Sequence, residues 1–391
     1  MTVREAWLQS ADWLAANGVE EDRSNAELLL LHALGIDRAK LLLLWNEPFP
    51  ADQREQWKQL LRRKAAGEPI QYIVGEQWFC GRPFDMTPAV LIPRPETELL
   101  AEAVLEAADR LWPEAAGAGA AGRGQAAGPA SRDAAGRGQA EPARCGGQAA
   151  DSASGDAAGR GQAAEPVSGD AAGRGQAAEP VSGDAAGRLA ETAVNAGETA
   201  GIDAAVRRTA SGPTVLDVGT GSGAIAVTLA AQRRGWRVCA SDLSPDALEV
   251  ARRNAARHEA ADRMTFLQGD LLAPILPGGE GEHIGVALDV LVSNPPYIPA
   301  ADMPGLQREV RDFEPHLALV GGADGLDPYR RMLGQLRQLG RMPRIVAFEL
   351  GIGQPRIVAE LMHRLGAWDE IRIVNDYAGI ERHIIAVRNQ P

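Results

Sequence analysis

From Thr214 onward, short apolar runs alternate with helical stretches, and this alternation restricts the fold more than any other feature. The runs are TVLDVG from Thr214, RVCASD from Arg237, MTFLQGD from Met264, ALDVLVSN from Ala287 and RIVAFEL from Arg344. Continuous apolar strands joined by helices belong to a parallel sheet covered on both faces. Two later runs, IRIVND from Ile371 and HIIAVR from His383, have only a Gly-containing turn between them. They predict an antiparallel hairpin. The expectation is an α/β, Rossmann-like domain over 213–391, with a seven-stranded, mostly parallel sheet closed by that hairpin.

The preceding chain has a different texture. Residues 1–70 read as a small helical bundle: Leu8, Ala11 and Leu14 recur at helical spacing, Ala26 to Leu34 is leucine-rich, and Trp57, Leu60 and Leu61 mark a further helix ending near Gly67. Residues 71–112 read as short strands and turns as far as Pro95, then a helix from Glu96 leading toward the α/β domain. Across 113–212 alanine and glycine dominate, and DAAGRGQAAEPVSG starts at Asp156, again at Asp170 and partly at Asp184. Such units have too little apolar surface to offset chain entropy, so a flexible low-complexity insertion is expected there.

Charge and cysteine content narrow the function. A formal charge of -12 disfavours a protein that grips duplex nucleic acid through its phosphates. Cys80, Cys145 and Cys239 are scattered, with neither metal-knuckle nor redox-pair spacing, as for reduced thiols. The charged N-terminal stretch lacks an apolar signal core, and runs such as Leu41 to Trp45 are too short to span a bilayer. The cytoplasm is the expected location, with no metal.

Asp217-Val-Gly-Thr-Gly-Ser-Gly223 follows the first apolar run and opens a helix. Glycines here let backbone approach a ligand closely. Gly219, Gly221 and Gly223 fall at every second position, unlike the dinucleotide fingerprint. Asp217 would repel a pyrophosphate but could meet an ammonium group. Asp242, ending the second run, is placed to accept ribose hydroxyls; Ser244 is the better cap for the next helix. Asp270, ending the third run, could accept from an adenine amino group.

Ser293-Asn294-Pro295-Pro296-Tyr297 follows the fourth run. The two prolines stiffen the backbone and remove two N–H donors, leaving carbonyls and the Asn294 side-chain oxygen to receive a planar NH2 group, with Tyr297 behind it. An amide nitrogen is a poor nucleophile because its lone pair is delocalised, with a rotation barrier of roughly 18–20 kcal/mol. Two acceptors on its N–H bonds would favour pyramidal nitrogen, and fixed geometry toward an activated methyl can contribute roughly 7–11 kcal/mol.

Together these motifs resemble the HemK/PrmC family of release factor glutamine methyltransferases. GEPIQYIVG (Gly67 to Gly75) and LIPRPETE (Leu91 to Glu98) look like that family's linker and helix start, and NAELLLLHALG from Asn25 like its N-terminal domain. Further matches are Phe313-Glu-Pro315, Ala318-Leu319, Asp376-Tyr377 and Glu381-Arg382. The resemblance implies a class I methyltransferase fold using S-adenosyl-L-methionine, with an N-terminal substrate-recognition domain. By it, Asp217, Gly219, Thr220, Gly221, Ser222, Gly223, Asp242, Asp270, Leu271 and Asn294 bind cofactor. Asn294, Pro295, Pro296 and Tyr297 would hold the glutamine of a Gly-Gly-Gln loop in class I release factors, supporting translation termination. Leu271 stands where some relatives carry an aromatic ring near the adenine, and the 113–212 insertion departs from the family pattern. The expected protein is a monomer with neither nucleic-acid nor membrane partners.

Other readings remain. The NPPY turn is shared with adenine-N6 methyltransferases, and Trp78-Phe79-Cys80-Gly81 faintly resembles enzymes acting on a ribosomal protein glutamine. A non-catalytic binding module is disfavoured by the intact motifs. The insertion carries its own Gly-Gly-Gln at Gly146 to Gln148, a coincidence in so Gly- and Gln-rich a stretch unless the chain methylates itself.

Overall fold

The computed structural model describes residues 1–113 and 212–389. Cys145, the Gly146–Gln148 tripeptide and all of the expected insertion except its end residues lie outside them. Helices α1 (Val3–Ala16), α2 (Asp22–Leu34), α3 (Arg38–Leu43), α4 (Arg54–Ala65) and α5 (Ile70–Val74) come first. Thr2 starts α1 with a capping box: its hydroxyl accepts from Glu5 N and its own N–H donates to the Glu5 carboxylate. Leu14, Leu29, Leu30, Leu41, Phe49, Trp57, Leu60 and Leu61 form this bundle's core. Leu8 is exposed, and the buried stripe of α1 runs through Val3, Ala6, Ser10, Ala11 and Leu14.

A two-stranded hairpin, β1 (Glu76–Phe79) and β2 (Arg82–Asp85), precedes α6 (Pro95–Leu111). Residues 71–74, read as part of an extended segment, are helical; Gly75, at φ 78°, ends that turn before the hairpin. The second half contains β3 (Thr214–Val218), α7 (Ala224–Gln232), β4 (Arg237–Asp242), α8 (Pro245–Arg257), β5 (Met264–Gln268), α9 (Glu282–Ala287) and β6 (Leu288–Ser293). Then follow α10 (Arg308–Phe313), α11 (Asp327–Leu336), β7 (Ile345–Glu349), α12 (Gln354–Leu365), β8 (Glu370–Asn375) and β9 (Glu381–Val387).

The seven strands lie in the order β5-β4-β3-β6-β7-β9-β8. Pairing is parallel from β5 to β7, and β9 is antiparallel to both β7 and β8. One face, carrying Val215, Val238, Val292 and Ala347, is covered by α6, α7 and α8. The other, carrying Leu216, Cys239, Leu291 and Phe348, is covered by α9, α11 and α12. Side chains alternate between these faces along each strand, so a run buried on both sides is apolar throughout. The chain builds outward from β3 to β5, then crosses to β6 on the other side of β3. Ligand crevices in such sheets open at this reversal, beyond the carboxyl ends of the strands. No helix among the described residues is long and apolar enough to cross a membrane.

Candidate active site

Two loops meet at the reversal. The first leaves β3 and is tied to the end of β4: the N–H groups of Gly219 and Thr220 donate to the Ser241 carbonyl at 2.8 and 2.9 Å. Gly221 N–H donates to Asp242 Oδ2 at 2.9 Å. Gly219 and Gly221 have φ of 68° and 55°, in the left-handed region where a side chain is strained. A Cβ on either would meet nothing within 4 Å. The loop therefore presents bare backbone to an open space, as a cradle for a ligand does. Ser222 is turned inward, where its carbonyl accepts from Asn254 Nδ2 at 2.8 Å.

Asp217 lies under this loop at 1% exposure. Its Oδ2 accepts from Thr220 Oγ1 at 2.7 Å and from Ala226 N at 3.2 Å, while Oδ1 is buried without a partner. Burial pushes the carboxyl up to about 7, against the pull of those two donors and with a further push from the Asp242 charge. An unpaired buried carboxylate oxygen suits a cationic ligand group. Asp242 is raised for the same reason, burial, opposed by N–H donors that include those of Ser244 and Gly221. Ser244 caps α8, its Oγ accepting from Ala247 N at 3.2 Å. Asp242 nonetheless shares the work of the turn, since its Oδ1 accepts from Ser244 N at 2.9 Å.

The third strand's end is arranged otherwise. Asp270 is half exposed and ion-paired with Arg331 of α11, so an adenine amino group would have to share its carboxylate. Leu271 has φ 53°, a left-handed conformation costing a non-glycine residue roughly 1–2 kcal/mol. Its side chain packs on the core face covered by α9, α11 and α12.

The second loop leaves β6. Ser293 Oγ donates to the Val218 carbonyl at 2.6 Å and so joins the ends of β6 and β3. Asn294 Nδ2 donates to Thr97 Oγ1, in the first turn of α6, at 3.2 Å. That bond leaves Asn294 Oδ1 buried with no partner. No described donor reaches the carbonyls of Pro295 or Pro296. Tyr297 is partly buried, and burial, then the nearby Glu349 charge, pushes its phenol up to about 12. The Tyr297 carbonyl accepts from Gln354 Nε2 at 2.9 Å, and Gln354 Oε1 accepts from Gly351 N at 2.9 Å. The glycine loop and the NPPY corner thus share the crevice, while Asp270 lies at its paired, exposed edge.

Thr97, Gln354, Arg94 and Glu314 complete the arrangement and had no assigned role in the sequence reading. Glu314 is buried and ion-paired with Arg94, and Ile92 N donates to its Oε2 at 3.3 Å. The signal was present, since Arg94 and Thr97 lie in LIPRPETE and Glu314 in Phe313-Glu-Pro315. Nothing local showed that these segments touch.

A sequence profile of the PrmC N-terminal domain matches residues 5–75, and one of a methyltransferase domain matches residues 215–311. The release factor glutamine methyltransferase of Moorella thermoacetica is 35% identical over 391 residues, covering 100% of both chains. That of Koribacter versatilis is 31% identical, covering 98% of each chain, and that of Bacillus subtilis is 30% identical, covering 99% of this chain and 98% of its own. With the methyltransferase sheet, the glycine cradle and the proline-locked corner in place, and relatives aligned over the whole chain, this protein belongs to the release factor glutamine methyltransferase family of enzymes.

Proposed function

We propose that this enzyme uses S-adenosyl-L-methionine to methylate the N5 amide nitrogen of the glutamine in the Gly-Gly-Gln loop of class I peptide chain release factors, supporting translation termination. The observation that carries the reading is Asn294: its amide donor is occupied by Thr97, and its oxygen is buried and unpartnered. A buried amide oxygen in a stiff corner is an acceptor suited to a planar NH2 group. The residues also fit the cofactor. The open glycine cradle admits close approach, the orphaned Asp217 oxygen suits an α-ammonium, and Asp242 has lone pairs left for ribose hydroxyls. Bound there, S-adenosyl-L-methionine supplies an already activated sulfonium methyl.

The chain's own residues do the rest. Asn294 Oδ1 and the Pro295 carbonyl accept the two amide N–H bonds, which orients the nitrogen and draws its lone pair out of conjugation. Tyr297 packs against the amide plane and keeps water out; its raised phenol stays neutral and adds no charge. Ser293 fixes the distance between corner and cradle through its bond to Val218.

The test is methyl transfer with labelled cofactor to a release factor, a ribosomal protein preparation and adenine-containing DNA and RNA, followed by mapping of the modified residue. Methylation of the release-factor glutamine is expected. Replacing Asn294→Ala should lower turnover by about 100- to 1,000-fold, the usual loss for a group that orients the reacting centre. Cofactor affinity, measured by calorimetry, should be largely retained, since the glycine cradle, Asp217 and Asp242 are untouched. Transfer to nucleic acid or ribosomal protein alone, or undiminished turnover of the variant, refutes the assignment.

A further inference from the structure

Methylation of a primary amide releases a proton. As the new N–CH3 bond forms and the donor's C–S bond breaks, one N–H proton must leave the nitrogen. Asn294 Oδ1 and the proline carbonyls are neutral amide oxygens and cannot keep it.

A candidate base lies one strand away. In the parallel pairing of β6 and β7, Ser293 stands opposite Phe348, so the next residues along the two strands are Asn294 and Glu349. On its other side Glu349 stands opposite His383 of β9. Val292, Ala347 and Ile385 pack on the face covered by α6. Two positions from each, Asn294, Glu349 and His383 return to that face, in a row across strands spaced about 4.8 Å apart. Thr97 of α6 already bonds to the first of them.

This row is buried and unsatisfied. Glu349 is 1% exposed and His383 0%. Glu349 Oε2 and His383 Nε2 are 3.8 Å apart, too far for a hydrogen bond. Glu349 Oε2, both ring nitrogens of His383 and Asn294 Oδ1 are all buried without partners. Unpartnered buried polar atoms are uncommon, and each calls for an explanation. The strand end is held firmly, since Tyr329 Oη donates to the Glu349 carbonyl at 2.6 Å.

The other titratable or charged groups near this corner are Tyr297 of the acceptor loop, Tyr329 of α11, Arg382 of β9, and Arg94 and Glu96 at the start of α6. Both tyrosines stay protonated because burial disfavours their anions, and the arginines have no proton-accepting site. Glu96 is only partly buried.

Resting on the amide-methylation reading, we propose that Glu349 is the base that takes the proton leaving the substrate nitrogen, and that His383 receives it next. The Glu349 carboxylate becomes a carboxylic acid as the amide nitrogen returns to neutrality. Passage to His383 Nε2, with a small side-chain movement to close the gap, restores the carboxylate.

The test is single-turnover methylation of a release factor at saturating cofactor, in light and in heavy water, with S-adenosylhomocysteine affinity measured beside it by calorimetry. Glu349→Gln should be about 100-fold slower or more, the range for loss of a general base, and should lose the solvent isotope effect of the wild type. Its affinities for S-adenosylhomocysteine and release factor should stay within about twofold. His383→Asn should reduce the solvent isotope effect while retaining more activity than Glu349→Gln. A Glu349→Gln rate within about threefold of wild type overturns the proposal. If Glu349→Gln does not fold, Glu349→Asp takes its place: its withdrawn carboxylate should slow methyl transfer at least tenfold, and a rate within about threefold of wild type overturns the proposal. A wild-type enzyme that leaves release-factor glutamine untouched would sink the functional reading instead, so the two failures are distinct.

Discussion

Asp217 shows how one buried carboxylate links stability to ligand binding. Its ordinary value is 3.8, and burial raises it to about 7 in the cofactor-free fold. Between those values the native state holds a proton that the unfolded chain has released, so stability falls as pH rises through that window. An arriving ammonium must find the ionised form. Cofactor affinity should therefore weaken about tenfold for each pH unit below about 7, where one proton must be displaced. Calorimetric titration from about pH 5 to 8 checks this; affinity independent of pH would show that no ammonium sits there. Replacing Asp217→Asn should raise the melting temperature of the cofactor-free protein above pH 7 while severely weakening cofactor binding. At this scale much was legible: the Asp217 to Gly223 spacing marked a tight glycine turn from seven adjacent residues. The Asp270–Arg331 pair was not legible, because its partners are 61 residues apart.

At the scale of elements, the acceptor corner depends on a neighbouring loop. Gly325 has φ 76°, and a Cβ there would lie 2.1 Å from the Tyr297 carbonyl and 2.5 Å from Gln354 Nε2. Replacing Gly325→Ala would strain the backbone and push apart the bond by which Gln354 holds the corner. A displacement of about 1 Å at a reacting centre can cost about 100-fold, so turnover should fall at least tenfold with cofactor affinity preserved. Equal turnover in the variant would show that Gln354 does not set the corner's position. The central strands β3, β6 and β7 were predictable because they are buried on both faces, and the terminal hairpin because no helix separates its runs. The spacing of Leu8, Ala11 and Leu14 showed that α1 is a helix but not which stripe it buries, since several overlapping stripes on a short helix satisfy the same spacing and only packing selects one.

Across the whole molecule, ion pairs join the helical bundle and the start of α6 to the segment that follows the acceptor corner. Lys64 of α4 is 3% exposed and pairs with Glu309 of α10. Arg94, just before α6, pairs with Glu314 just after α10. A buried charge left without its partner is costly, but Glu309 is partly exposed and would regain water. Replacing Lys64→Ala should thus destabilise the protein by roughly 1–2 kcal/mol, measurable by urea unfolding. Its KM for an intact release factor should rise while its KM for a short glutamine peptide stays near the wild-type value. Parallel increases for both would show that the bundle does not help to place the larger substrate.

The order of residues alone was enough for the sheet's composition, the glycine cradle and the NPPY corner, because each is written in neighbouring positions whose chemistry acts locally. It was also enough to suggest the family, through motifs scattered from Asn25 to Arg382. Folding decided how these pieces meet. Asn294 finds Thr97 197 residues away, and Glu349 comes to lie between Asn294 and His383, only because the strand order reverses beside β3 and β9 inserts antiparallel to β7. Register and topology are settled by long-range burial, and no local pattern records which strand will lie beside which.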